Sequence, residues 1–165
     1  MCRCPHTRHP HSRRNVLGLL IAAPLLAACK EQTEGPEDIR WGRETCTICG
    51  MIISDARYAS EVRGGPDKRL YKFDDIGDAV HWLSVQDWKT DPKLEFWVMD
   101  SNNGTDWLDA RRSFYFPDTI SPMDYGYAAV PTREAGTVTF EVMRAAVLLR
   151  GLASGCLPRD EWDDK

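Results

Sequence analysis

The feature that most constrains how this chain can fold is its N-terminal segment, which predicts that residues 1–28 are removed. They carry four arginines, no acidic residue and the apolar stretch Val16–Leu26, which has the length of a signal-peptide core and is too short to span a bilayer. The small residues before Cys29 are typical of a bacterial lipoprotein processing site, at which the cysteine is lipidated. We therefore expect a chain that is lipid-anchored to a membrane and faces the periplasm, with ordinary cleavage and a free Cys29 as the alternative. Ser12–Leu17 resembles a twin-arginine export signal, but ordinary signals also contain paired arginines.

Removal of residues 1–28 would change both the charge and the supply of metal-ligating side chains. The four arginines leave with the segment, so 17 basic residues remain against 25 acidic ones and the formal charge falls from −4 to −8. Such a chain lacks the excess of Lys and Arg that binds nucleic acid, and its membrane attachment would rest on the lipid. His81 would be the sole histidine, and Cys46, Cys49 and Cys156 the free thiols, an odd number that gives no disulfide framework.

The patterning of the remaining chain predicts an α+β fold. Residues 29–44 are polar and predict a flexible tether, and residues 156–165 form an acidic tail. The first half predicts two strands joined by a turn, a helix and a third strand, over Arg57–Val62, Leu70–Phe73, Asp75–Val85 and Leu94–Met99. The second half predicts three short strands and a helix, over Thr105–Leu108, Ser113–Phe116, Tyr127–Val130 and Thr139–Leu149.

The segment Cys46–Met51 carries the clearest chemical signal, because it holds two thiols and a thioether within six residues. Thiolates and thioethers are the soft ligands that select Cu(I). In an extended segment, Cys49 and Met51 would lie on one face about 7 Å apart, and a bend at Gly50 would let them close on one ion. A redox-active disulfide between Cys46 and Cys49 is the main alternative. A zinc site usually takes four ligands, which one histidine and two or three cysteines barely supply. Haem attachment would need a histidine directly after the second cysteine, where Gly50 lies.

Four motifs in order resemble the NosL-type copper lipoproteins, which are accessory proteins of nitrous oxide reductase. The matching pieces are the processing site at Cys29, Cys46–Ile53, Lys72–Asp78 and Ser121–Gly126, and together they span nearly the whole processed chain. The resemblance implies two small ββαβ-type units that share a core, over about residues 45–101 and 102–155. It also implies Cu(I) binding and delivery of copper to the reductase. The chain departs from the family at Asp124, where glycine is common, and in a shortened segment after residue 130, so the second unit is expected to be abbreviated.

The residues predicted to bind the metal are Cys49, Met51 and Met123, with Cys46 and His81 as additional candidates. Each has a plainer interpretation: Met51 as a core residue, and His81 as a hydrogen-bonded side chain beside the apolar face of its helix. Met123 is chosen chiefly through the resemblance. Two further residues, Asp74 and Asp75, are predicted to be helix caps, because their position suits capping better than acid–base catalysis.

Three classes of function are consistent with these features. The first is a Cu(I) chaperone without enzymatic turnover, whose partner is a copper-accepting client such as nitrous oxide reductase or its assembly machinery. A homodimer with copper between two chains is an arrangement that so few soft ligands allow. The second is a periplasmic thiol–disulfide oxidoreductase that uses Cys46 and Cys49. The pair precedes a strand rather than opening a helix, so no helix dipole is evident to lower a thiol pKa. The third is a scaffold of a membrane complex in which the cysteines are incidental.

Overall fold

A computed structural model describes residues 34–152 and has the mixed α+β architecture that the sequence predicts. It contains two antiparallel sheets, of four and three strands, and two helices. The signal peptide at 1–28, the lipidation site Cys29, residues 29–33 of the tether and the tail at 156–165 lie outside the described residues. Among the helices of residues 34–152, none has the length and apolar character needed to cross a bilayer.

The first sheet is built around the predicted hairpin. Its strands run in the order β2-β1-β3-β4, over Ser60–Gly64 (β1), Arg69–Phe73 (β2), Glu95–Met99 (β3) and Trp107–Asp109 (β4). The first strand begins at Ser60 rather than Arg57, because Ala56–Tyr58 forms a short 3-10 helix. The Asp55 carboxylate accepts the backbone N–H of Arg57 and pairs with its guanidinium, which stabilises this turn in place of an extended backbone.

Helix α1, Ile76–Ser84, connects the hairpin to β3. It begins after Asp75, whose carboxylate accepts the backbone N–H of Gly77 at 2.9 Å, so the predicted capping role of Asp75 is confirmed. Ile76, Ala79 and Val80 are buried on the side that faces the sheets. The first turn of α1 therefore follows β2 directly, after the connection Asp74–Asp75.

The second sheet is smaller and carries the second helix. Its strands are Phe114–Phe116 (β5), Ala128–Val130 (β6) and Val138–Thr139 (β7), in the order β6-β5-β7, and α2 follows at Phe140–Arg150. Strand β4, which falls in the second half of the chain, pairs with β3 of the first sheet. Helix α2 is the last element of the described residues.

One hydrophobic core joins the two sheets and both helices. Val62 and Phe73 of the first sheet belong to the same buried cluster as Tyr115 of β5. Phe96 of β3 meets Phe140 of α2 edge to face, with ring centroids 5.7 Å apart. The two halves thus share a core, as expected from the sequence.

A polar segment covers the opposite face of the first sheet. Residues 35–44, here called the N-terminal strap, belong to the predicted tether, of which the structure describes residues 34–44. Ile39 of the strap is 5% exposed, and the strap is bonded to buried charged residues of β1, Glu61 and Arg63. Flexibility stays a prediction for the tether residues that precede the strap.

Candidate metal centre

The residues Thr45–Ile52 form a tight loop, here called the metal loop. Thr45 and Ile52 form an isolated antiparallel bridge, and the Cys46 N–H donates to the Met51 carbonyl at 2.8 Å. The Gly50 N–H donates to the Cys46 carbonyl at 3.1 Å, and Gly50 has a φ of 72°, which glycine adopts without steric cost. The segment is therefore a turn and not the extended strand considered from the sequence, although the bend does fall at Gly50.

The metal loop is attached to the outer edge of β2 through Thr47. The Thr47 N–H donates to the Lys72 carbonyl at 2.8 Å, and the Thr47 hydroxyl oxygen accepts the Lys72 N–H at 3.2 Å. These bonds lie on the edge of β2 opposite to the edge that pairs with β1. They place the two cysteines of the loop over the end of β2 and the first turn of α1.

Two thiols and two carboxylates converge at that place. One ligand atom from each of Cys46, Cys49, Asp74 and Asp78 lies within 4.8 Å of the others. Cys46 Sγ is 3.2 Å from Asp78 Oδ2, and Cys49 Sγ is 3.6 Å from Asp74 Oδ1. Three of these residues are buried and Cys49 is half-buried, so the group opens to solvent on the Cys49 side.

The electrostatics of this group favour a protonated Cys46 thiol when no metal is bound. The pKa of the Cys46 thiol is raised by its hydrogen bond with Cys49, by burial and by the neighbouring Asp74 carboxylate. Burial also raises the pKa of Asp74, and the nearby Asp78 adds to that effect. A metal ion would replace the thiol protons and offset the negative charge that this site otherwise concentrates.

Asp75 connects the metal-loop side of the protein to the Ser121–Gly126 segment. Its Oδ2 accepts the Ser121 hydroxyl at 2.6 Å and the Met123 N–H at 3.1 Å, while its Oδ1 caps α1. Burial raises the pKa of Asp75 to about 6. Gly77 contributes on the same side, because a Cβ atom there would overlap the Tyr125 ring. The two motifs are thus brought together by direct bonds and contact.

The other predicted ligands are distributed around the four-residue group. Met51 is 44% exposed at the end of the metal loop, whereas Met123 is buried. His81 Nε2 lies 3.0 Å from the Val147 carbonyl oxygen, and its ring is tilted against the Tyr125 ring with centroids 5.6 Å apart. It is not among the converging ligand atoms. Metal ligation by Met51, Met123 and His81 stays a prediction.

Asp124 lies where the resemblance predicts glycine, and its backbone has a conformation that glycine favours. It has a φ of 60°, the left-handed region in which glycine is favoured and aspartate is tolerated. The Arg150 guanidinium bonds both the Asp124 carbonyl oxygen and its carboxylate, the latter at 2.6 Å. A residue of α2 therefore supports the unusual backbone at this position.

Asp74 and Asp78 are the members of the group that sequence reasoning does not select. The sequence predicts Asp74 as a helix cap, but Asp75 takes that role and leaves Asp74 beside Cys49. The sequence does indicate these residues in one way: it places three aspartates within five residues at the start of a predicted helix, more than capping that helix requires. Their burial depends on the metal loop lying over them, and this contact spans 25 to 32 residues of sequence.

The group as a whole can hold a metal ion. Two thiolates suit Cu(I), and the full set of two sulfur and two oxygen donors also gives the four ligands that Zn²⁺ commonly takes. A scan against protein-family models found no match for the chain, and a search of curated proteins found none either.

Proposed function

We propose that this protein is a lipid-anchored, extracytoplasmic Cu(I) chaperone that binds copper at Cys46 and Cys49 and passes it to another protein. The observation that carries the proposal is the convergence of the two thiols above the first turn of α1, within 4.8 Å of each other. The likeness of the motifs to NosL-type lipoproteins supports nitrous oxide reductase maturation as the destination of the copper.

The unequal burial of the two thiols suits transfer of a metal. Cys46 is 3% exposed, whereas Cys49 is half-buried at the rim. An incoming thiolate or thioether of a client could reach the ion from the Cys49 side while Cys46 still holds it. Met51, exposed beside Cys49, would supply a third soft ligand at the same rim.

The oxidoreductase alternative is less well supported. Thiol–disulfide exchange needs an accessible thiolate with a lowered pKa, usually at a helix N-terminus. Here the pKa of Cys46 is raised, and although the pair lies above the first turn of α1, its two thiols face the Asp78 and Asp74 carboxylates. We therefore propose binding and delivery, without catalysis.

The test is an anaerobic Cu(I) competition titration on the reduced form that begins at Lys30, compared with Cys46→Ser, Cys49→Ser and Met123→Leu. We expect tight one-to-one binding that falls by at least a hundredfold in either cysteine variant. A smaller loss in Met123→Leu would add that thioether to the ligand set. Parallel titration with Zn²⁺ identifies the metal, because Asp74→Asn should weaken Zn²⁺ binding more than Cu(I) binding.

Matched variants control for general damage to the protein. Cys156→Ser removes the third thiol of the processed chain, which lies outside the described residues, and Met143→Leu replaces a fully buried methionine of α2. Both should bind Cu(I) like the unaltered protein. Weak Cu(I) binding in the unaltered protein, together with reduction of insulin disulfides by the Cys46–Cys49 pair, would refute the chaperone proposal in favour of the oxidoreductase.

A further inference from the structure

We propose that the N-terminal strap is a pH-dependent latch over the first sheet, which stays closed while Glu61 is protonated and opens more readily once Glu61 is ionised. The strap covers Glu61, a buried acid of β1, and the proton on that acid is the signal to which the strap responds. Such a latch would work with or without a metal at the cysteines, so it does not depend on the proposed copper binding.

The strap is held on the sheet mainly by polar bonds. The Gly35 N–H donates to Glu95 Oε2 at 2.9 Å, and the Gly35 carbonyl accepts from Arg63 Nη2 at 2.9 Å. Ile39 is the only buried residue of the strap. Segments with few buried apolar contacts open locally, at a lower free energy than global unfolding. The strap is therefore a segment that can lift from the sheet while the core stays folded.

Glu61 lies beneath the middle of the strap. It is fully buried, and its Oε2 accepts the Glu37 N–H at 2.9 Å. Its Oε1 has no hydrogen-bond partner among residues 34–152 and forms an ion pair with Lys72 Nζ at 3.6 Å. A carboxylate that is removed from water needs several good hydrogen bonds to remain ionised at low cost. The closed strap supplies one, so it favours the protonated form of Glu61.

The cation beside Glu61 is shared with the strap. Lys72 is the register partner of Glu61 on β2. Its Nζ lies 2.8 Å from Glu44 and 3.0 Å from the Asp38 carbonyl oxygen, and both distances are shorter than that to Glu61. An ammonium group has three donors, and the strap engages two of them. Lys72 would therefore compensate only part of the charge of an ionised Glu61.

The other groups around Glu61 do not supply the missing compensation. Burial raises the pKa of Glu61 to about 7, and the nearby Glu37 carboxylate adds to the effect. Arg63, two residues further along β1, pairs with Glu37 at 3.1 Å and with Glu95 at 3.6 Å. Trp97, which is opposite Glu61 on β3, carries no charge. Ionisation of Glu61 thus adds a negative charge where the two cations already serve other carboxylates.

The size of the pH response follows from the two states of Glu61. An open strap would return the carboxyl group to water, where its pKa has the ordinary value of 4.5 instead of about 7. Below pH 7 the closed state keeps a proton that the open state has lost, so a rise in pH favours opening. With these two pKa values, the opening constant rises about tenfold between pH 6 and pH 8.

The experiment measures amide hydrogen exchange of the reduced, metal-free, full-length protein at pH 6 and pH 8, corrected for the intrinsic exchange rate at each pH. The Glu37 amide reports opening of the strap. The Ala110 amide, which donates to the Phe96 carbonyl at 2.9 Å within the core, reports global unfolding. We expect the Glu37 opening constant to exceed that of Ala110 by at least about a hundredfold and to rise about tenfold from pH 6 to pH 8.

Two glutamine variants separate the buried acid from the other bonds of the strap. Glu61→Gln cannot ionise, so its Glu37 opening constant should change by less than about twofold between pH 6 and pH 8. Glu95→Gln alters a carboxylate that also bonds the strap but has a side chain that is 26% exposed. Opening should become easier at both pH values in this matched control, while the rise of about tenfold is kept.

Three results would overturn the latch. Equal opening constants for Glu37 and Ala110 would mean that the strap lifts only when the whole protein unfolds. A Glu37 opening constant that does not change with pH, or that keeps its rise in Glu61→Gln, would separate the strap from this acid. If Glu61→Gln does not fold, the carbon-13 signal of the Glu61 carboxyl group in the unaltered protein decides: its titration midpoint must match the pH at which strap opening levels off, and a midpoint below about pH 5.5 refutes the latch.

Discussion

Replacement of Asp75 is the sharpest test of how the two motifs are joined. The carboxylate of Asp75 accepts three hydrogen bonds, from the Gly77 N–H, the Ser121 hydroxyl and the Met123 N–H. Asp75 is fully buried, so water cannot replace these bonds in the folded protein. Asp75→Ala would leave three donors without their acceptor. Asp75→Asn would keep one acceptor oxygen, which can bond either the Gly77 N–H or the donors of Ser121 and Met123, but not both.

The expected cost follows from the number of donors. A buried polar group that loses its partner costs about 1–3 kcal/mol, so we expect Asp75→Ala to lower the free energy of unfolding by about 3–6 kcal/mol. Asp75→Asn should lose about half as much. The loss is large against the roughly 5–15 kcal/mol that a domain of this kind has in total. If Met123 is a copper ligand, Asp75→Asn should also weaken Cu(I) binding, because the Met123 backbone would no longer be held.

The assay is urea denaturation at pH 7.5, where an aspartate with a pKa of about 6 is ionised. Asp87→Ala, at an exposed loop position, serves as the control and should change stability by less than about 0.5 kcal/mol. Ser121→Ala completes a double-mutant cycle, for which we expect a coupling energy of about 1–2 kcal/mol with Asp75. An Asp75→Ala protein within about 1 kcal/mol of the unaltered one, or an additive cycle, would refute the reasoning.

Three further variants test other parts of the structure. Gly77→Ala would gain up to about 1 kcal/mol in an isolated helix, but its methyl group would overlap the Tyr125 ring, so urea denaturation should show a net loss of about 1–3 kcal/mol that Tyr125→Ala relieves. Burial raises the pKa of Glu61 from 4.5 to about 7, so over this range the folded state binds a proton that the unfolded state has lost. Glu61 should therefore lower the free energy of unfolding by up to about 3 kcal/mol as the pH rises from 4.5 to 7.5. Glu61→Gln should remove this part of the slope and leave the part due to Asp75, whose pKa is also raised. Asp124→Gly relieves the left-handed backbone but loses the exposed pair with Arg150, so calorimetry should show a change of less than about 1 kcal/mol, and a larger loss would assign the pair a structural role.

Local patterns in the sequence predict the elements whose stability comes from their own periodicity. The hairpin, α1 and β3 follow from alternation, turn residues and an apolar helical face, and they lie within a few residues of the expected positions. The two-residue strand β7 is not predicted, because so short a segment has no periodicity and exists only through its pairing with β5.

The strap and the metal group are harder to predict for the same physical reason. The strap has no apolar pattern, and its order comes from bonds to Arg63, Glu61 and Glu95, which are 24 to 60 residues away. The cysteine pair is visible in the sequence, but Asp74 and Asp78 become ligand candidates only when the metal loop covers them. Long-range contacts of this kind leave no local signature.

The bonds of Thr47 have a consequence for solubility. Strand β2 lies at the edge of the first sheet, and an uncovered edge can pair with a strand of another molecule. Thr47 occupies the outward-facing N–H and carbonyl of Lys72, so the metal loop also shields this edge against aggregation. Position 47 therefore favours a small hydroxyl residue for a reason separate from metal binding. Natural variants should accept serine there more readily than valine, which has nearly the same shape but cannot accept the Lys72 N–H.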